Sequence, residues 1–212
     1  MTSFDSSNIS PLHLNAEPLS MQDLNGQLKA HLKARNFELP SICFTKMDQA
    51  FVIWGLLSVV IFSFAQFSTL SWTTQAWIDG ALTGVGLLTT SGLTWKLAST
   101  EGLRWVIYLW AALTGVGMFL TVYGIFCGVA AILSNLCLLW LGLCTLGYGA
   151  MAIGMRSHSF TAACAFHLIS INALNHPHSW QFLTSGIVMA LPLFFFSVVP
   201  WDMQNAEHDI PC

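Results

Sequence analysis

WVIYLWAALTGVGMFLTVYGIFCGVAAILSNLCLLWLGLCTLGYGAMAIGM, residues 105–155, runs for 51 positions without an Asp, Glu, Lys or Arg. A helix needs about 20 mainly apolar residues to cross the hydrocarbon core of a bilayer. At about 1.5 Å per residue this stretch as one helix would be more than twice too long. It therefore reads as two antiparallel spans, 105–126 and 131–153, joined by a tight turn between Gly124–Gly128 and Ser134–Asn135.

Working outward, Phe51–Leu70 is a charge-free apolar run. Trp77–Ala98 is another, with Asp79 near its start and Lys96 near its end. Beyond Arg156, 157–175 is more polar and 180–200 is apolar but interrupted by Pro192, where a kink is expected. The fold expected is all-α: a polytopic membrane bundle of six transmembrane helices, or five if the fifth segment is re-entrant. The bundle occupies residues 49–201, between an N-terminal region (1–48) and a short acidic tail (202–212).

Charge supports this class. The 212 residues carry seven Lys+Arg and ten Asp+Glu, 8% charged, against about a quarter in soluble domains. From Gln49 to Pro200 only Asp79, Lys96, Glu101, Arg104 and Arg156 are charged. A soluble surface is excluded by that scarcity, and nucleic-acid binding by the lack of a basic patch. The 55% hydrophobic content excludes a disordered main body. With the N-terminus in the cytoplasm, all seven basic residues fall on the inner side of the six-span topology, as membrane insertion favours. Trp72, Trp77 and Trp180 then mark the outer boundary, and Trp95, Trp105 and Trp201 the inner one. Trp54, Trp110 and Trp140 lie deeper and are expected to serve packing.

Residues 1–48 show no cleavable signal pattern. Ser20 and Asp23 resemble a helix-start box, and Met21, Leu24, Leu28 and Leu32 recur at helical spacing beside Lys29, Lys33 and Arg35. Residues 20–35 thus read either as an interfacial helix on anionic lipid or as a partly ordered tail weakened by Asn25 and Gly26.

Four features carry chemical potential. Ala-Leu-Thr-Gly-Val-Gly occurs at 81–86 and again at 112–117. The copies fall at comparable depth in adjacent spans, so Gly84, Gly86, Gly115 and Gly117 are expected to pack helices closely, with Thr83 and Thr114 as hydroxyls of a duplicated half-site in the functional alternative. His167 is a mid-span ionisable group, accompanied by Asn172 in the most polar span, and such groups are functional candidates. Asp79, the only acidic residue in a span, is placed about three residues inside the outer boundary, where a solvated helix-start carboxylate is the simpler expectation. His176-Pro-His178 offers two metal ligands, which do not make a site. His158, His167 and His176 are nine apart, so His167 points opposite to the other two. The six cysteines form no Cys-x-x-Cys pair, and Ser91 and Ser185 lack the preceding glycine of an intramembrane serine protease element. No motif implies a cofactor.

Functionally, the sequence points first to a non-enzymatic accessory or assembly-type membrane protein, with a membrane-protein partner or a second copy packed on its glycine faces. The alternative is a small transporter or permease for a neutral or apolar solute. A second alternative is a membrane enzyme or cofactor binder using His167. An ion channel is disfavoured because no ring of charges lines any span.

Overall fold

The computed structural model describes residues 28–29, 43–174 and 179–199. The chain divides into two units, Met1–Cys43 and Phe44–Cys212. Two two-residue strands, β1 (Leu28–Lys29) and β2 (Cys43–Phe44), pair with each other. The interfacial helix expected over 20–35 otherwise lies outside the described residues, and Leu28–Lys29 within it are extended. The tail 202–212 also lies outside them.

Among the described residues the other regular elements are helices: α1 (Lys46–Phe67), α2 (Trp72–Thr100), α3 (Arg104–Cys127), α4 (Ala130–Leu133), α5 (Leu136–Met155), α6 (His158–Ala173) and α7 (Gln181–Val198). Among the described residues, four helices are long and apolar enough to cross a membrane. These are α1, α3, α5 and α7, with mean hydropathies of 2.1, 1.8, 1.9 and 1.7. The other two expected spans differ for separate reasons. α2 has 29 residues but many hydroxyls and glycines. α6 has 16 residues, about 24 Å of helix against a hydrocarbon core of about 30 Å.

Polar caps explain most boundary shifts. α1 begins five residues before the apolar run because Thr45 and Asp48 form a capping box: Asp48 N–H donates to Thr45 Oγ1 (3.2 Å) and Thr45 N–H to Asp48 Oδ2 (2.9 Å). α2 likewise begins at Trp72, not Trp77, because Ser71 Oγ accepts from Thr74 N–H. The long apolar stretch does break in two. Gly128 takes a left-handed φ of 63° at the end of α3, the single turn α4 follows, and α5 starts at Leu136, later than the expected 131. α7 continues through Pro192, which is buried within it.

Small-residue notches set the packing. Lipid tails are as apolar as leucine, so helices in a bilayer associate through close contact. α1 and α7 pack most extensively, and they do so reciprocally. A Cβ at Gly55 would lie 2.8 Å from Phe194 Cε1, and one at Gly186 2.6 Å from Phe62 Cβ and 3.2 Å from the Ser58 carbonyl. Between α3 and α5 the fillers are indoles. Cβ atoms at Gly147 and Gly154 would lie 2.7 Å from Trp110 and 2.6 Å from Trp105. The core joins Tyr148, Phe160 and Phe196, with ring centroids 5.3–6.3 Å apart.

Gly186→Ala should therefore destabilise the bundle by about 1–3 kcal/mol, because Phe62 Cβ and backbone cannot swing aside. Gly115→Ala, with nothing within 4 Å of its Cβ position, should stay within about 0.5 kcal/mol. Thermal unfolding of the two variants in detergent checks the contrast; equal losses would contradict the notch description.

Candidate functional site

One face of α2 carries a continuous stripe of polar and small residues. Gln75, Asp79, Thr83, Gly86, Thr90 and Thr94 follow one another at steps of three or four residues, which stacks them along a single stripe. All but Asp79 are buried, and Asp79 is half-buried. Ala81, Val85 and Leu88 lie on the opposite, exposed face. Weak amphipathicity follows, because short hydroxyls and glycines replace charges on the inner side.

The stripe borders two chambers inside the unit. The larger, about 160 Å³, lies where α1 and α3 begin and α2 and α5 end, and includes Met47, Thr90, Ser91, Thr94, Thr114 and Tyr148 in its wall. The smaller, about 90 Å³, lies at the opposite ends of those helices, with Trp72, Gln75, Asp79, Thr83, Ile125 and Phe182. Four residues line both: Trp54, Ser58, Trp140 and Met189. They form the partition between the chambers.

Two equivalent hydrogen-bond chains fix the partition indoles. Trp54 Nε1–H donates to Thr90 Oγ1 (3.1 Å), and Thr90 donates on to the Gly86 carbonyl (2.8 Å). Trp140 Nε1–H donates to Thr121 Oγ1 (3.3 Å), and Thr121 donates to the Gly117 carbonyl (2.8 Å). Gly86 and Gly117 are the second glycines of the two Ala-Leu-Thr-Gly-Val-Gly copies. Only at Gly117 does the indole fill the place of a side chain: a Cβ there would be 2.9 Å from Trp140 Cη2, whereas one at Gly86 would be at an ordinary contact distance of 3.9 Å from Trp54 Cη2. A Cβ at Gly86 would also overlap Leu57 Cδ1. Each copy of the repeat thus supplies the carbonyl that aims a tryptophan's threonine acceptor. Its signal in the sequence is a Thr four residues after each second glycine, Thr90 and Thr121, which the six-residue match stops short of.

The sequence-derived candidates separate. Asp79 and Thr83 border the smaller chamber and Thr114 the larger one. Gly84 and Gly115 face open space, with no atom within 4 Å of a Cβ at either, so the two first glycines do not meet. Because α2 starts at Trp72, Asp79 lies about 10 Å along the helix from its start, deeper than a helix-start carboxylate. Asp79 Oδ1 is buried and has no hydrogen-bond partner. Gln75, which the sequence reading passed over, donates from Nε2 to the Leu70 carbonyl (3.0 Å) and leaves its buried Oε1 unpartnered.

His167 borders neither chamber. It is fully buried, Nδ1 is 2.9 Å from the Ala163 carbonyl, and Nε2 has no partner. Tyr148, 5.1 Å away between ring centroids, stands as the wall between His167 and the larger chamber. Asn172 is exposed and donates to the Leu168 carbonyl (2.8 Å), so it does not join His167 in a site. His176 and His178 lie outside the described residues. Among the described residues no three His, Cys, Asp or Glu side chains are grouped to hold a metal.

Thr90→Val removes the acceptor of Trp54 and should cost about 1 kcal/mol, with a measurable change in Trp54 emission against a Trp54→Phe control. His167→Leu removes a buried unpartnered nitrogen and should leave stability within about 1 kcal/mol. A large loss of stability from the second variant would show that Nε2 has a partner. No family model matches this chain, and no curated protein or solved structure does so.

Proposed function

We propose that the protein is a carrier or permease, crossing the membrane six times with its N-terminus in the cytoplasm, for a small neutral or apolar solute. The observation that carries this reading is the pair of chambers lying end to end along one helix face and sharing a four-residue partition. An accessory protein held together by packing alone has no need of such internal space, since interiors normally close to few voids larger than a water molecule. Apolar walls with a few convergent hydroxyls are the usual composition of a small-molecule site. Lys96, Arg104 and Arg156 lie at the end of the bundle that holds the larger chamber, which the basic-residue rule assigns to the cytoplasm. In this topology α2 crosses by virtue of its 29-residue length, and the short α6 crosses against a locally thinned bilayer. The enzyme reading loses support because His167 has no chamber beside it.

An accessory role is the second reading, favoured by Gly84 and Gly115. Both open outward with room for an approaching helix.

Solutes that bind only the folded chain stabilise it, by about 2.7 kcal/mol at a hundred times the dissociation constant, and so raise its unfolding midpoint. A panel of small neutral and apolar solutes should contain members that stabilise the wild type but not Ser91→Trp, which fills the larger chamber. The same solutes should equilibrate faster into liposomes containing the wild type. No stabilising solute, together with a partner protein co-purifying at fixed stoichiometry, would replace the carrier with the accessory reading. Reporters fused at the two ends should both be cytoplasmic; opposite sides would contradict six spans.

A further inference from the structure

The smaller chamber contains a combination that its apolar walls do not require. Asp79 sits there with a buried carboxylate oxygen that has no partner among the described residues, and no described Lys, Arg or His borders the chamber. One turn earlier on the same face, Gln75 is only 4% exposed and presents a second buried, unpartnered acceptor. Its amide orientation is fixed, because the Leu70 carbonyl accepts and so must face the NH₂ group. One turn later comes Thr83. Two acceptors without a donor, one of them ionisable, are costly in a low-dielectric interior unless a positive group meets them.

The wall around them decides which positive group. Trp54, Trp72, Trp140, Phe62 and Phe182 border the same chamber, and Trp72 and Phe182 stand 5.7 Å apart between ring centroids. A bare metal ion prefers six or more oxygens arranged around it, whereas the unpartnered oxygens here come from one face of one helix. Aromatic faces instead attract an ammonium whose substituents are apolar. A volume of about 90 Å³ is about three times a water's share of about 30 Å³ in the liquid, the scale of a small alkylammonium.

We propose that the smaller chamber is a binding site for a small organic ammonium ion, with Asp79 and Gln75 as its oxygen ligands and the surrounding indoles as its aromatic wall. This rests on the carrier reading for its role, and it adds a charged recognition point to an otherwise apolar path. The site itself is read by binding alone, so it stands or falls separately from transport.

The test uses the full chain purified in detergent and titrated with tetramethylammonium chloride, with sodium chloride at matched ionic strength and tert-butanol as the uncharged counterpart. Tetramethylammonium should quench indole emission saturably and raise the unfolding midpoint, while sodium and tert-butanol should do neither. Asp79→Asn, nearly isosteric, should weaken binding roughly tenfold or more. Trp72→Leu, at the half-exposed mouth, should weaken it several-fold and keeps the test open if Asp79→Asn does not fold. Sodium acting as well as tetramethylammonium would overturn the proposal, as would no saturable response or unchanged affinity in the variants that fold. Saturable binding without solute flux in liposomes would keep this site and remove the carrier.

Discussion

An indole N–H bonded to a threonine one turn beyond a glycine joins α1 to α2 and α5 to α3. In a bilayer the flat ring has no hydrophobic reason to prefer another helix over lipid. Its N–H does, because hydrocarbon offers it no acceptor. Thr90 and Thr121 provide acceptors, and each threonine is aimed by donating to the carbonyl four residues before it. At Gly117 the missing side chain also lets the Trp140 ring lie against the backbone. The unit is used twice, once for Trp54 from α1 and once for Trp140 from α5. Together these hold four helices around a shared midpoint.

From that midpoint the chambers follow. Two large rings held across the bundle keep the helices apart above and below, where Leu, Met and Thr side chains do not fill the gap. The α2 stripe then supplies polarity without charge along most of its length, and Asp79 is its one exception. Short hydroxyls can satisfy themselves on their own helix, as Thr90 and Thr94 do through carbonyls four residues back, so the interior remains stable when nothing occupies it. Gln75 Oε1 and Asp79 Oδ1 have no such partner on their own helix.

Much of this was legible in residues 105–155 and in the doubled hexapeptide. A charge-free run of 51 residues must fold back on itself, and the glycine and asparagine near its middle indicate where. Two things were not legible. Helix starts lie further out at Thr45 and Ser71, because a hydroxyl cap extends a helix beyond its apolar run, so Asp79 lies about 10 Å along α2 from its start and not in its first turn. The partner of each glycine also cannot be read from its own helix. Gly84 and Gly86 are indistinguishable by spacing, yet one faces outward and the other meets α1. His167 looked like a site because it is ionisable in mid-span, but Tyr148 closes it off from the larger chamber. Mid-membrane polarity identifies candidates; only packing shows which of them face open space.

A carrier needs water and solute to enter the chambers along the polar face of α2, and nitroxide labels placed singly at positions 75 to 94 in liposomes test that entry. Accessibility to a water-soluble nickel chelate should rise and fall with helical period, with maxima at 75, 79, 83, 90 and 94, and oxygen accessibility should peak at 81, 85 and 88. Nickel accessibility that is flat along the helix, or that peaks with oxygen at 81, 85 and 88, would contradict it.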